Sequence, residues 1–155
     1  MSTALGYGSA GGLTFPVKNT GASAIPKGAV VSLKGTSPAI PSGDDDVVIE
    51  VELAGTPVKF CGIANSPMSI NGGGTITQFG PVLCFTTSAA LATLTAIKVE
   101  TSGYKVLAQG GSGTIMGVSL GAKHVSDVGP DYGANTDTYA TCWVNFISSL
   151  SFGYT

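Results

Sequence analysis

The sequence predicts an all-β protein: a small β-barrel or sandwich-like domain preceded by an extended N-terminal arm. The first observation behind this is the stretch 60–97, in which no side chain carries a formal charge and which Lys59 and Lys98 bracket. The second is its punctuation. Short runs rich in β-branched and aromatic residues are separated by Asn65-Ser66-Pro67, Asn71-Gly72-Gly73-Gly74 and Gly80-Pro81, the sequence form of closely spaced strands and turns. The third is strict alternation from Ile49 onward, with Ile49, Val51 and Leu53 on one face and Glu50 and Glu52 on the other. Period two of this kind marks a half-buried strand. A membrane helix is the rival reading of 60–97, but it needs about 20 consecutive apolar residues. Here Pro67, Gln78, Pro81 and the glycine triplet interrupt the run.

Taken in order, residues 1–13 read as a flexible arm. They are small and glycine-rich, with Leu5, Tyr7 and Leu13 as scattered anchors, too little apolar surface to order a segment alone. Residues 14–155 form one β domain. Regular structure starts at 14–18 and turns at Asn19-Thr20-Gly21 and again at Ile25-Pro26-Lys27-Gly28. A strand follows over 29–33, then a loop with Pro38 and Pro41 that ends on Asp44-Asp45-Asp46, then the alternating strand 47–53. The uncharged centre contributes strands at 59–64, 75–79 and 82–86, with Gly80-Pro81 read as the turn between the last two. Alanine and leucine in 88–94 favour one helical turn, against its threonines. Residues 97–100 and 104–108 flank Thr101-Ser102-Gly103 as a hairpin. A strand over 114–120 follows a glycine turn. Residues 121–138 are polar and turn-rich and read as a surface loop excursion. YATCWVNFI, 139–147, is the last strong strand, with Trp143 expected inside it as a buried residue.

Only 10% of the 155 residues are charged, against about 25% in ordinary soluble domains. A chain this poor in charge either covers its exterior with Ser, Thr, Gly and Ala or sets much of it against neighbours in an assembly. Net charge is −2, there is no arginine, and the seven lysines are dispersed singly. Nucleic-acid binding by phosphate neutralisation needs clustered cations, so that partner is set aside, and so is a membrane. The N-terminus shows no basic region followed by an apolar core, hence no secretory signal pattern. Cys61, Cys84 and Cys142 sit in apolar strand-like runs without a CxxC. They read as three buried free thiols made in a reducing cytoplasm.

Chemistry is hard to find. Gly6-Tyr7-Gly8-Ser9-Ala10-Gly11 fits GxGxxG literally, yet the strand before it and the helix after it that a dinucleotide site requires are missing. Gly72-Gly73-Gly74 lacks the Lys-Ser/Thr of a phosphate loop. His124 is the only histidine. With a cysteine and Asp127 it could only be combined into a nucleophile set without any supporting local signature. Asp127, Asp131, Asn135 and Asp137 offer four oxygen donors for calcium, but not at EF-hand spacing. No Cys/His cluster suits zinc. The expectation is a non-enzymatic protein with no cofactor.

Three blocks carry a resemblance. VKNTGASAIPKGAVVSL at 17–33 resembles the opening of tailed-bacteriophage head decoration (capsid cement) proteins, with an Asn-Thr-Gly turn and a Lys-Gly turn leading into an apolar strand. FCGIANSPMSINGGGTITQFGPVLCF resembles their Gly-Ile-Ala strand and the glycine-led strand pair. ETSGYKVLAQGGSGTIMGVSL resembles their later hairpin and closing strand. The likeness spans about 17–120. It implies a virion protein made in the host cytoplasm and bound to the outer capsid surface. Its partners would be the major capsid protein and its own copies, as a trimer or other homo-oligomer, and it would stabilise the shell by bridging subunits. On this reading Leu5, Tyr7 and Leu13 are the candidate capsid contacts. The alternatives are another virion part, such as a tail or fibre module, or a carbohydrate-binding β-sandwich using Trp143, Tyr132 or Tyr104 as a stacking platform.

Overall fold

A computed structural model describes residues 12–34, 48–55, 60–87, 91–100, 103–111, 115–121 and 138–146. These residues form nine strands: β1 Leu13–Asn19, β2 Val30–Leu33, β3 Glu50–Leu53, β4 Phe60–Ala64, β5 Gly73–Thr86, β6 Ala96–Val99, β7 Val106–Ala108, β8 Gly117–Ser119 and β9 Thr138–Asn145. The protein is all-β, as its punctuation predicts.

The organising element is β5, 14 residues long. Its first half closes a five-stranded barrel in the order β1-β3-β2-β4-β5, with β5 returning to β1. Its second half closes another ring of pairings, β5-β7-β6-β8-β9, with β9 returning to β5. Every strand therefore has a neighbour on both sides, which removes the open edges that invite aggregation. The connection β1–β3 is parallel at Lys18↔Glu50 and Asn19↔Val51, and β5–β7 is parallel at Thr86↔Val106; the other pairings are antiparallel.

Gly80-Pro81 is not the turn that the sequence suggests. The strand runs straight through it, in unbroken register with β9 from Phe79↔Asn145 to Thr86↔Thr138. The reason is where the proline nitrogen faces. The amides of Phe85 and Thr87 point away from β9, to Gly28 O and Val106 O. Strand alternation puts the nitrogen of Pro81 on that same side. It lies in the gap after the last β1 pair, Leu13↔Phe79, and before the β7 pair at Thr86, so no ladder bond is lost. Gly80 supplies the bend at φ 119°, and a Cβ there would sit 2.7 Å from Gly12 Cα.

Just before this bend the register slips. Leu13 pairs with Phe79 but Thr14 with Thr77, so Gln78 is an extra residue. A bulge of this kind reverses which positions face inward. Ile76 enters the core on one side of it, and Leu83 and Phe85 enter the same cluster on the other.

Pro16 in β1 follows the same rule. The amides of Lys18 and Thr20 donate to Ile49 O and Val51 O. The nitrogen of Pro16 therefore faces that side too, before the β3 pairing begins. Proline there costs no ladder bond and blocks strand addition.

Two apolar clusters fill the fold. One gathers Cys84 of β5, Ile97 and Val99 of β6, Val106, Met116, and Ala140, Cys142, Val144 and Phe146. The other gathers Val17, Ile25, Val31, Val51, Cys61, Met68, Ile76, Phe85 and Tyr139. Phe85 packs 4.5 Å from Tyr139 and edge-on to Tyr104 at 5.5 Å. Asn19, fully buried, ties turn to barrel. Its Nδ2 donates to Ser23 O at 2.9 Å and Ser69 O at 3.2 Å, and its Oδ1 accepts from Gly21 N at 3.0 Å. The Asn-Thr-Gly turn is thus a capped turn locked into the core.

β1 begins at Leu13, so the last residue assigned to the arm is already in the sheet. Residues 1–11 of the arm and residues 122–137 lie outside the described residues. Thr93 and Leu94 form a turn rather than helix, since Leu94 has φ 64°, a left-handed value that a right-handed helix cannot contain. Among the described residues no helix is long and apolar enough to cross a membrane.

Candidate functional site: an uncharged sheet face around Trp143

None of the residues of β8, β9 and β5 carries a formal charge. These three strands are consecutive neighbours. The charges of the described strands lie elsewhere, with Lys18 on β1, Glu50 and Glu52 on β3 and Lys98 on β6. Lys34 and Glu52 form an ion pair at 2.8 Å.

Trp143 was expected in the core and is not there. It is 39% exposed. The cause is register: Ala140, Cys142 and Val144 face the interior, so Thr141, Trp143 and Asn145 must face out. Its flanking polar residues at i−2 and i+2 were the sequence signal for this, overridden by the size of the indole.

The outward face reads in rows across the strands. The middle row is Val118–Trp143–Pro81. On one side of it Leu120, whose amide bonds Thr141 O, adds a second apolar group, 39% exposed. On the other side lie Asn145, Phe79 and Leu13, the last paired with Phe79 and 41% exposed. Trp143 stands edge-on to Phe79 with ring centroids 5.4 Å apart and planes at 87°, a favourable aromatic geometry. β8 lies close beneath the chain of β9. A Cβ at Gly117 would fall onto the Trp143 carbonyl oxygen, so glycine is required for the approach.

Of the sequence-predicted contacts, Leu13 belongs to this face, while Leu5 and Tyr7 lie outside the described residues. Of the stacking-platform residues that are described, Trp143 lies on this face beside Phe79 and Tyr104 packs against Phe85. Tyr104 is half-buried against Phe85 with Lys105 Nζ 5.9 Å above its ring, and Tyr132 lies outside the described residues. So do His124, Asp127, Asp131, Asn135 and Asp137, and the GxGxxG segment. Among the described residues no three Cys, His, Asp or Glu side chains converge on a metal geometry.

Cys61, Cys84 and Cys142 are all buried and free. Burial pushes the Cys61 thiol up to about 12. Burial, then the neighbouring Cys142 thiol, pushes Cys84 well above the ordinary range. Such thiols are inert as nucleophiles. A second apolar feature opens at one end of the barrel, a groove of about 200 Å³ lined by Phe15, Leu33, Ile49, Cys61, Ile76 and Gln78.

No protein-family model matches the chain, and no curated protein matches it in sequence.

Proposed function

We propose that the protein is a structural virion component that binds the outer surface of a tailed-phage head. It bridges neighbouring major capsid protein subunits and contacts its own copies. The observation that carries this reading is the uncharged sheet face with Trp143 at its centre, a surface whose chemistry favours being covered. The resemblance of 17–120 to head decoration proteins and the three reduced thiols support it. The action is mechanical. A protein that binds only the assembled lattice stabilises it by mass action, about 2.7 kcal/mol per site at a free concentration of 100 times Kd. Leu13 on the sheet, with Leu5 and Tyr7 before it, supplies further apolar anchors.

The test is retention on heads of the phage whose genome carries the gene, from low salt to about 1 M NaCl, where the Debye length is about 3 Å. Apolar attachment persists or tightens across this range; release by moderate salt alone contradicts it.

The exposure of Trp143 also favours a second reading, a sugar-binding module in which the indole stacks on a pyranose ring. Trp143 is the only tryptophan, so titrating oligosaccharides while following its fluorescence separates the two. Saturable quenching selects the sugar site.

A further inference from the structure

We infer that Leu94 is an anchor that seats in a leucine-sized apolar pocket of the head shell, extending the attachment surface beyond the strands. This rests on the reading of the protein as a head-binding component and names a contact residue outside the sheet.

The backbone at Leu94 is strained. Thr95 N donates to Ala92 O at 3.3 Å and closes a four-residue turn over 92–95, whose third residue, Leu94, has φ 64°. A turn of this form takes Gly or Asn at that place, because a residue with a larger side chain is strained in the left-handed region. The chain follows this rule elsewhere. In the turn 69–72, closed by Gly72 N to Ser69 O at 2.9 Å, the third residue is Asn71, at φ 63°. Leu94 is 76% exposed, so burial in its own fold does not offset the strain. Nor does the segment need it as a fastening, since Leu91 is already buried in the cluster of Ile97 and Met116. Strain kept at an exposed leucine points to a contact outside the molecule.

The turn is also held firmly. Leu94 N donates to Ser119 O at 2.7 Å, Ser119 N to Thr95 O at 2.8 Å, and Ser119 Oγ to Leu91 O at 3.5 Å. Bonds to β8 on both sides of Leu94 fix it before docking, so little conformational entropy is lost on binding. Its position continues the Trp143 face. β6 pairs with β8 at Ala96↔Val118, and two residues further on this register sets Leu94 level with Leu120. Ala92 and Thr93 are exposed beside it, and no residue of 60–97 carries a formal charge. An isolated aliphatic side chain offers no flat ring to a sugar and no cation to a phosphate. The partner it fits is a protein pocket one leucine wide, apolar within and neutral at a rim that meets the Thr93 hydroxyl.

The experiment uses the full chain. Leu94→Asn, Leu94→Gly and Leu94→Met each compete with labelled parent protein for undecorated heads, and each is melted free in solution. Relief of strain and loss of the anchor move the two readouts in opposite directions. Leu94→Asn and Leu94→Gly should melt at or above the parent temperature and bind heads about tenfold more weakly. Leu94→Met keeps an apolar side chain on the strained residue, so it should bind more tightly than either and gain nothing in melting temperature. Asn and Gly variants that compete as well as the parent overturn the inference. So does a Met variant that binds as weakly as they do, or an Asn variant that melts several degrees lower, which would make Leu94 a support of the fold. Sedimentation velocity of the free chain covers the remaining occupant: self-association lost in Leu94→Asn would assign the side chain to a second copy and overturn its place on the shell. A parent chain that does not bind heads counts against the virion reading and this inference together. A parent that binds while the Asn and Gly variants compete equally removes Leu94 alone.

Discussion

The ring of Phe79 meets the indole of Trp143 edge-on, 5.4 Å between centroids, across the outer face of two paired strands. The pair joins the two halves of the fold. Phe79 is the residue at which β5 leaves β1, through its pairing with Leu13, and begins its pairing with β9 at Asn145. Apolar surface from both rings is thereby merged into one uncharged face.

The bulge and bend that allow this are testable. Gly80 takes φ 119°, and a side chain there meets Gly12. Gly80→Ala should destabilise the fold by about 1–3 kcal/mol. Gly110→Ala, where nothing lies within 4 Å of the new Cβ, should change stability by less than about 0.5 kcal/mol. Denaturant midpoints of the two variants give the comparison, and equal shifts contradict the assigned role of Gly80.

Asn19, itself fully buried, holds the first turn against the 68–69 segment through its Nδ2 and Oδ1, in bonds to Met68 O and Gly21 N that are buried and to Ser23 O and Ser69 O that are part-buried. Asn19→Ala removes these bonds and leaves the buried Gly21 N–H without its acceptor, at about 1–3 kcal/mol for a buried group left unsatisfied. A loss of about 2–4 kcal/mol in chemical denaturation is expected. A loss below about 0.5 kcal/mol would mean that water replaces the amide at no cost.

The thiols set a pH limit. Cys61 ionises at 9.0 when unperturbed and at about 12 when folded. Between those values the unfolded chain sheds a proton that the native state keeps. Its contribution is intact below pH 9 and falls as pH rises through this window, by up to about 1.4 kcal/mol per pH unit. Cys84 shifts in the same direction. Cys61→Ala should flatten the alkaline loss relative to the parent chain. Without reductant, alkylation of the native protein at pH 8 should label none of Cys61, Cys84 and Cys142, and alkylation after denaturation all three. Labelling of only one after denaturation would indicate a disulfide.

Leu5 and Tyr7 are proposed anchors on the particle. Replacing both by Ala should weaken competition for undecorated heads and leave the melting temperature of the free protein within about 2 °C, since exposed or terminal changes cost little. Equal occupancy from an equimolar mixture with the parent chain leaves the sheet face as the whole attachment site.

Much of the fold was legible because strand signals here are local. The alternation of Ile49, Val51 and Leu53 gave β3, and the 97–108 hairpin pairs as its turn predicts, with Ile97 opposite Ala108. What was not legible depends on distant partners. Pro81 looks like a strand breaker until its nitrogen is seen to face away from β9, between the β1 and β7 pairings. The closure of both rings on β5 depends on pairings far apart in sequence, such as Leu83 with Thr141. Trp143 was misread for a different reason. Its place on the outer face was written in Thr141 and Asn145, and the apolar bulk of the indole outweighed that period-two signal.

The role proposed for this protein is to reinforce a shell by covering it. The most direct measurement is the opening temperature of heads stripped of the protein and then re-decorated with it, followed by genome release. Re-decorated heads should open at a higher temperature, with the gain rising with occupancy and surviving about 1 M NaCl. Identical opening temperatures for stripped and fully re-decorated heads would contradict it.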